Sequence, residues 1–388
     1  MALKDSPIDA IVIGAGIAGA SVAWRLAQHL RVLVVEREDQ PGYHSTGRSA
    51  AMFMESYGPP GVRALTMASR AFYEQPPVGF TDVPLLHPRG VLYVAAHGQD
   101  ALMNQLHADL APTCPQLAVL NAAQAVELAP CLRADILGGA LLDPSARDLD
   151  VNALHQGFLR GLRQRGGQLL TNAEVVQASR IAQGWELTLK SGQSLSAPVV
   201  VNAAGAWADQ VGALFGASPI GLEPRRRSAF TFKPPEGSNA AHWPCLVGVD
   251  EGWYFKPDAG QLLGSPANAD PTVPHDVQPE DLDIAIAIDR IESATTLQIK
   301  RPTSTWAGLR SFVADGELVI GFDELCPGLF WLAAQGGYGI QSAAGASALA
   351  DALIRAVPLP AHLVAHGVDA SVFAPKRLRA NAPGSVRS

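Results

Sequence analysis

Four cysteines in 388 residues are too few and too scattered to staple this chain. Cys114, Cys131, Cys245 and Cys326 include no C-x-x-C pair, which predicts neither a zinc site nor a disulfide framework and makes a reducing compartment the default. Basic charge is short as well. Lys and Arg number 29 against 36 Asp and Glu, the net charge is −7, and the cations are dispersed, so nucleic acid is not an expected partner. Uninterrupted apolar runs are missing too. Ala10 to Trp24 is apolar and follows Lys4, but Asp9 stands at its mouth and three glycines interrupt it, which argues against a signal peptide. Leu325 to Ala350 carries no charge, yet Pro327, Gly336, Gly337 and Gly339 divide it into a strand, a loop and a helix rather than a bilayer span. The expectation is a chain with no transmembrane segment, placed in the cytoplasm, with peripheral association with the inner membrane left open.

What is present is ample apolar material. A hydrophobic content of 48% over this length predicts about two domains with a sizeable core. Strand and helix signals alternate, no internal repeat stands out, and the class is α/β. Pro-containing stretches near Gln75 to Pro88 and Ala267 to Pro279 read as loops, the second followed by a helix with Glu280 and Asp281 at its N-terminus. Residues 376–388 are basic, Pro- and Gly-bearing and short of apolar side chains, which reads as a frayed tail.

The segment from Ile8 to Glu36 carries the first chemistry. Ile8 to Ile13 is a buried-strand run, GAGIAG follows where a strand must turn into a helix, and Arg31 to Val35 supplies a second strand. Gly14 permits the tight turn, Gly16 lets the backbone approach a pyrophosphate, and Gly19 allows the helix to lie close to the strand. Free N–H groups at the helix start attract the anion. Glu36 ends the second strand, placed to accept both hydroxyls of an adenosine ribose, which favours FAD or NAD over NADP.

Two more strand-to-glycine passages follow. Pro198 to Trp207 ends a buried strand in small residues, Ala204 and Gly205 among them; these leave room for a cofactor, and tight helix packing would demand the same composition. Leu329 to Gln341 runs through Gly336, Gly337, Tyr338, Gly339 and Ile340 into another helix start. Such a helix end, aimed at the N1/O2 edge of an isoalloxazine, stabilises the charge of reduced flavin, a need that a nicotinamide does not have. Gly42 to Ala51 has neither strand nor helix period, and is either a surface loop or a lining segment beside the cofactor.

With these motifs in order, the chain resembles the D-amino acid oxidase-type flavoprotein superfamily, most closely its bacterial D-arginine dehydrogenases, over nearly its whole length. The matching blocks are GAGIAGAS at 14–21, PGYHSTGRSAA at 41–51, ALHQG at 153–157, VNAAGAW at 201–207, RRSAF at 226–230, LLGSPANADP at 262–271, TWAGLRSFVADG at 305–316 and AAQGGYGIQ at 333–341. The resemblance implies a Rossmann-like FAD-binding domain (1–83, 144–215, 306–375) interleaved with an α+β substrate-binding domain (84–143, 216–305) built on a mostly antiparallel sheet. It implies noncovalent FAD and no metal. The cofactor contacts it implies are Gly14, Ala15, Gly16, Ile17, Ala18 and Gly19 in the first turn, then Glu36 and Arg37. Ser45, Thr46, Arg48, Ser49, Ala50 and Ala51 follow in the irregular segment. Val175, Ala204, Gly205 and Trp207 come next, with Gly336, Gly337, Tyr338, Gly339, Ile340 and Gln341 at the second helix start.

The resemblance also implies a reaction: oxidation of the Cα–N bond of a D-amino acid to an imino acid by hydride transfer to flavin N5, then hydrolysis to a 2-oxo acid and ammonia. Electrons leave to an acceptor other than oxygen, a quinone among the candidates. Arg227 and Arg310 match the carboxylate-binding arginines, whose planar forks suit bidentate contact. If a strand begins at Arg225, then Arg225 and Arg227 share one face and Arg226 the other. Tyr57 and Tyr254 match tyrosines that line the substrate site. Met52, Val91, Cys245, Val247 and Gly337 complete the expected pocket.

Departures from the family pattern shape the substrate expectation. Val91 stands where D-arginine dehydrogenases carry a glutamate for the substrate guanidinium, Met52 stands where they carry a histidine, and Cys245 replaces a methionine. A cationic side chain would lose its buried partner, which predicts weak use of D-arginine and D-lysine and better use of neutral or apolar side chains. His44 and His87 are read as structural. The alternatives are an oxidase of glycine, sarcosine or another secondary amine with oxygen as acceptor, and a flavin electron-transfer subunit with no substrate of its own.

Overall fold

A computed structural model describes residues 7–379. Short runs rich in Val and Ile form a six-stranded sheet in the order Val319–Phe322, Leu329–Ala333, Val199–Asn202, Ala10–Ile13, Val32–Val35, Gln168–Leu170. All its pairings are parallel except the first. Its central strands are buried on both faces, as expected of a parallel sheet covered by helices. The helix Ile17–Leu26 leaves the first strand, and Gly339–Ile354 leaves the Leu329–Ala333 strand. That second helix consists mostly of Ala, Ser and Gly and is buried almost all round, packed against Ile17–Leu26 and Pro60–Glu74.

The second layer is a nine-stranded sheet in which only Cys245–Gly248 against Val91–Ala96 runs parallel. Glu223–Phe232 and Ser304–Phe312 pair antiparallel from Glu223 opposite Phe312 to Thr231 opposite Ser304. The strand Ser304–Phe312 therefore straddles the expected border at 305/306 and lies wholly in this sheet. Two three-stranded sheets complete the strand set among the described residues, Val175–Ile181 with Gly184–Leu189 and Ser194–Ala197, and Met52–Phe53 with Arg147–Leu149 and Leu86–Pro88.

Helix Asp281–Ala294 starts where the acidic pair predicts, after Glu280. The tail expected from 376 is corrected in part. Lys376–Arg379 forms a helical turn, with Arg377 paired to Asp315 at 2.7 Å and Arg379 to the buried Asp323 at 2.6 Å, because these carboxylates draw in the basic residues. Residues 380–388 lie outside the described residues. All four cysteines are free and buried. Among the described residues no group of side chains could hold a metal ion, and no helix is long and apolar enough to cross a membrane.

Candidate active site and cofactor cradle

The first glycine turn is built as its sequence requires. Gly14 has φ +99°, and a Cβ there would lie 2.5 Å from the Ala203 carbonyl oxygen. A Cβ on Gly19 would lie 1.8 Å from the Gly14 oxygen, so the helix rests directly on the turn. Beside this turn opens a cavity of about 400 Å³, lined by Gly14, Gly16, Glu36, Arg37, Val175, Ala204, Gly205 and Trp207, as well as Ser45 and Thr46. Arg37 lies over the Trp207 ring at 4.6 Å, and the His44 ring is 4.6 Å from the same indole, which gives one wall flat aromatic and guanidinium surfaces. Glu36 lines the cavity, but its carboxylate is engaged: Oε2 accepts from Ala15 N–H at 2.7 Å and Oε1 from Glu38 N–H at 3.0 Å.

Three expected cofactor contacts take supporting places. Ala15 holds the turn, donating to Glu36 and accepting from His155 Nε2 at 2.8 Å. Gly19 is consumed by helix packing, and Ala18 packs against the core and is not in the wall of this cavity, because both sit past the helix start. Burial holds the His155 imidazole below the usual histidine range, so it is neutral and donates Nε2–H.

The irregular segment after Glu36 proves to be a lining segment. Ser45, Thr46, Arg48, Ser49 and Ala50 border a narrower cavity of about 100 Å³, and Ala51 and Met52 continue into the next. Thr46 Oγ1 accepts from Ile17 N–H at 3.0 Å, tying the segment to the helix start. Arg48 has a more structural part than expected: it donates to the carbonyls of Val277 and Ala307 and pairs with Asp276, latching the segment to the loop over it.

The second helix start closes the same narrow cavity through Gly336, Gly337, Gly339 and Ile340. Gly336 has φ +52°, the left-handed conformation that glycine tolerates best. Tyr338 is not in the wall of these cavities. Its ring packs against Tyr57 at 5.0 Å and Phe312 at 6.2 Å, because it caps the helix from the core side. Gln341 donates to the Tyr57 carbonyl oxygen and Thr66 Oγ1, and borders the third cavity.

That third cavity, about 160 Å³, contains Arg227, Arg310, Tyr57 and Tyr254 together with Met52, Cys245, Val247 and Gly337. In the antiparallel ladder Arg225 stands opposite Arg310, and Arg227 is its diagonal neighbour on the same face. Arg226 points the other way, to Asp283, Glu280 and Asp270. Arg310 donates to the Tyr57 hydroxyl at 3.2 Å, and Gly337 is small because a Cβ there would lie 3.1 Å from the Arg310 Cζ. Arg227 donates Nε–H to the Asn268 carbonyl at 2.5 Å. Among the described residues neither arginine has a carboxylate partner. Burial and the neighbouring Arg310 charge push the Arg227 guanidinium down to about 10.

Val91 is the main correction to the expected pocket. It is fully buried between its strand neighbours Cys245 and Asp143, behind the cavity surface rather than on it. Tyr93, two residues on, takes the lining place. The sequence reading also missed Met54, Glu251, Lys256 and Ala267 in this wall. Lys256 had a signal: it is two residues from Tyr254 on one strand, hence on the same face.

These features define a class. Two helix N-termini, a Cβ-intolerant glycine turn and an acid at the end of the second strand suit a dinucleotide, and the cavity with two arginines meets its far end. The FAD dependent oxidoreductase family matches residues 9–352, and the chain belongs to that family; its cofactor is FAD. It is 25% identical to "FAD-dependent oxidoreductase domain-containing protein 1" of Bos taurus, over 86% of this chain and 78% of that protein. It is 27% identical to "Glycerol-3-phosphate dehydrogenase 1" of Mycobacterium tuberculosis (strain ATCC 25618 / H37Rv), over 80% of this chain and 64% of that protein. The fold is that of glycine oxidase from Geobacillus kaustophilus, with a TM-score of 0.81, 21% identity, and 96% of this chain and 99% of that one covered.

Proposed function

We propose that this flavoprotein is a D-amino acid dehydrogenase acting on substrates with uncharged side chains, releasing an imino acid that hydrolyses to a 2-oxo acid and ammonia. The observation that carries the reading is the pair Arg227 and Arg310, two guanidinium groups in one cavity wall with no carboxylate paired to either among the described residues. An α-carboxylate supplies the missing charge and can be gripped by two planar forks. Holding the carboxylate fixes the Cα–H direction, and such orientation is what the protein has to contribute. Bound FAD supplies the two-electron acceptor.

Tyr57 and Tyr254 line the cavity with the arginines, and this reading gives their hydroxyls the same carboxylate or the amine to bond. With Met52 in place of a histidine, the reading has the substrate enter as the free amine. The D-configuration and an acceptor other than oxygen are carried over from the resemblance to D-arginine dehydrogenases. Met52, Met54, Cys245, Val247 and Tyr93 are uncharged, the buried charge in the wall is the cation Lys256, and the one carboxylate, Glu251, is exposed in a turn, so D-arginine and D-lysine are expected to be poor substrates.

The test is anaerobic bleaching of the bound flavin by D-leucine, D-methionine, D-glutamine, D-phenylalanine, D-arginine, D-lysine, sarcosine, glycine and the L-enantiomers. Fast reduction by uncharged D-amino acids supports the reading. Fast reduction by sarcosine or glycine with peroxide formation in air replaces it with an amine oxidase, and flavin bleached by none of them leaves the electron-transfer subunit.

A further inference from the structure

We propose that Lys256 reads the end of the substrate side chain, and that the preferred side chain is uncharged and ends in a carbonyl oxygen, as in D-glutamine. This rests on the D-amino acid reading above and narrows it.

Lys256 is 5% exposed, yet it contributes to the wall of the substrate cavity. Its strand, Tyr254–Asp258, turns Phe255 into the apolar core and presents Tyr254 and Lys256 together on the other face. Leu246 opposite Phe255 and Val247 opposite Tyr254 set the register, which brings Lys256 beside Cys245. A carboxylate held by the arginines and Tyr254 thus has Lys256 one same-face step along the strand, about 7 Å on, the reach of a side chain of several bonds.

The ammonium is incompletely used. It donates to Asp148 at 2.8 Å, and that is its one hydrogen bond among the described residues, although an ammonium has three donors. Asp258 lies at 3.8 Å, beyond hydrogen-bond range. Buried donors are costly to leave unpaired, so an acceptor on the substrate is favoured there.

The local charges decide which acceptor. Asp148 also holds Arg89 at 2.6 Å, so two cations, Lys256 and Arg89, face two carboxylates, Asp148 and Asp258, and the cluster is neutral. A substrate carboxylate would add an unbalanced charge to a buried neutral group, and a cation would meet Lys256 itself. A neutral carbonyl oxygen accepts the hydrogen bond and changes no charge. Glu251, exposed in the turn on the other side of Tyr254, is the cavity's negative side chain and lies away from this end along the hairpin.

The experiment compares kcat/KM, with an artificial electron acceptor, for D-glutamine, D-methionine, D-glutamate and D-arginine in the wild type, Lys256→Met and Lys256→Gln. D-Glutamine and D-methionine are similar in length, so their ratio isolates the terminal acceptor. The proposal expects a D-glutamine preference of about tenfold or more, lost in Lys256→Met through the D-glutamine value alone and partly restored in Lys256→Gln, which keeps a donor. Flavin content checks that each variant is folded; Asp148 keeps Arg89 as a partner in both. Equal changes for D-glutamine and D-methionine would make Lys256 a structural ion pair, and a D-glutamate preference would make it a counter-ion; either overturns the proposal. Reduction by no D-amino acid in the wild type is the distinct failure of the activity reading itself, and removes the proposal with it.

Discussion

Arg227 spends its Nε–H on the backbone carbonyl of Asn268, 2.5 Å away, so it meets the cavity with only its terminal nitrogens. Asn268 is itself held, accepting from Ser228 N–H at 2.9 Å and donating to Asp283 at 3.0 Å. One oxygen of Asp283 also accepts from Arg226 Nε and Ser228 Oγ, so a single buried carboxylate grips both strand neighbours of Arg227 and the loop that orients it.

Removing that carboxylate should loosen Arg227 without touching the reacting atoms. Asp283→Ala is expected to raise the amino acid KM about tenfold while kcat falls less, and to lower stability by about 1–3 kcal/mol for the unsatisfied buried partners. Steady-state kinetics alongside thermal melting measure both; a fall in kcat with KM unchanged would show that the network does not act through carboxylate binding.

Arg310→Lys keeps the charge and removes the fork. The expected cost in kcat/KM is about a hundredfold, roughly 3 kcal/mol, with flavin absorbance unchanged. Titration with benzoate, followed by the flavin spectrum, should show a matching loss of affinity; unchanged benzoate binding would place the carboxylate elsewhere.

Gly14→Ala attacks the cofactor instead. The new methyl would meet the Ala203 carbonyl at 2.5 Å in a left-handed backbone, so FAD-depleted protein with a lowered melting temperature is expected. Flavin-to-protein absorbance ratio reads this directly, and a full complement of FAD would contradict the cradle described.

His155 predicts acid sensitivity with a definite sign. Its folded pKa is lowered by burial, so below about pH 6.5 the unfolded chain binds a proton that the folded chain refuses. Stability from this group is full above pH 6.5 and falls as pH drops toward the folded pKa. Because Nε2 holds the Ala15 carbonyl, FAD should loosen over the same window. His155→Gln should flatten the slope below pH 6.5, measured by flavin release and melting.

The amino-acid sequence by itself determined the chain's strongest local features. Apolar strands running into Gly14 and Gly336 specify strand–turn–helix units because glycine adopts the positive φ of those turns most easily, and the 3.6- and 2-residue periods follow from the backbone. Arg227 and Arg310 were legible as residues matching a family pattern, and the irregular run from Gly42 to Ala51 was visible as one without a period. The tertiary structure decided what faces what. It placed the Gly42–Ala51 run along the cofactor cavities, brought Arg310 and Arg227, 83 positions apart in the chain, together across two strands, buried Val91 between Cys245 and Asp143, and set Lys256 and Glu251 in the wall. The reason is that strand register and sheet order are settled by packing between distant segments, and a side chain's exposure depends on those neighbours as much as on its own chemistry.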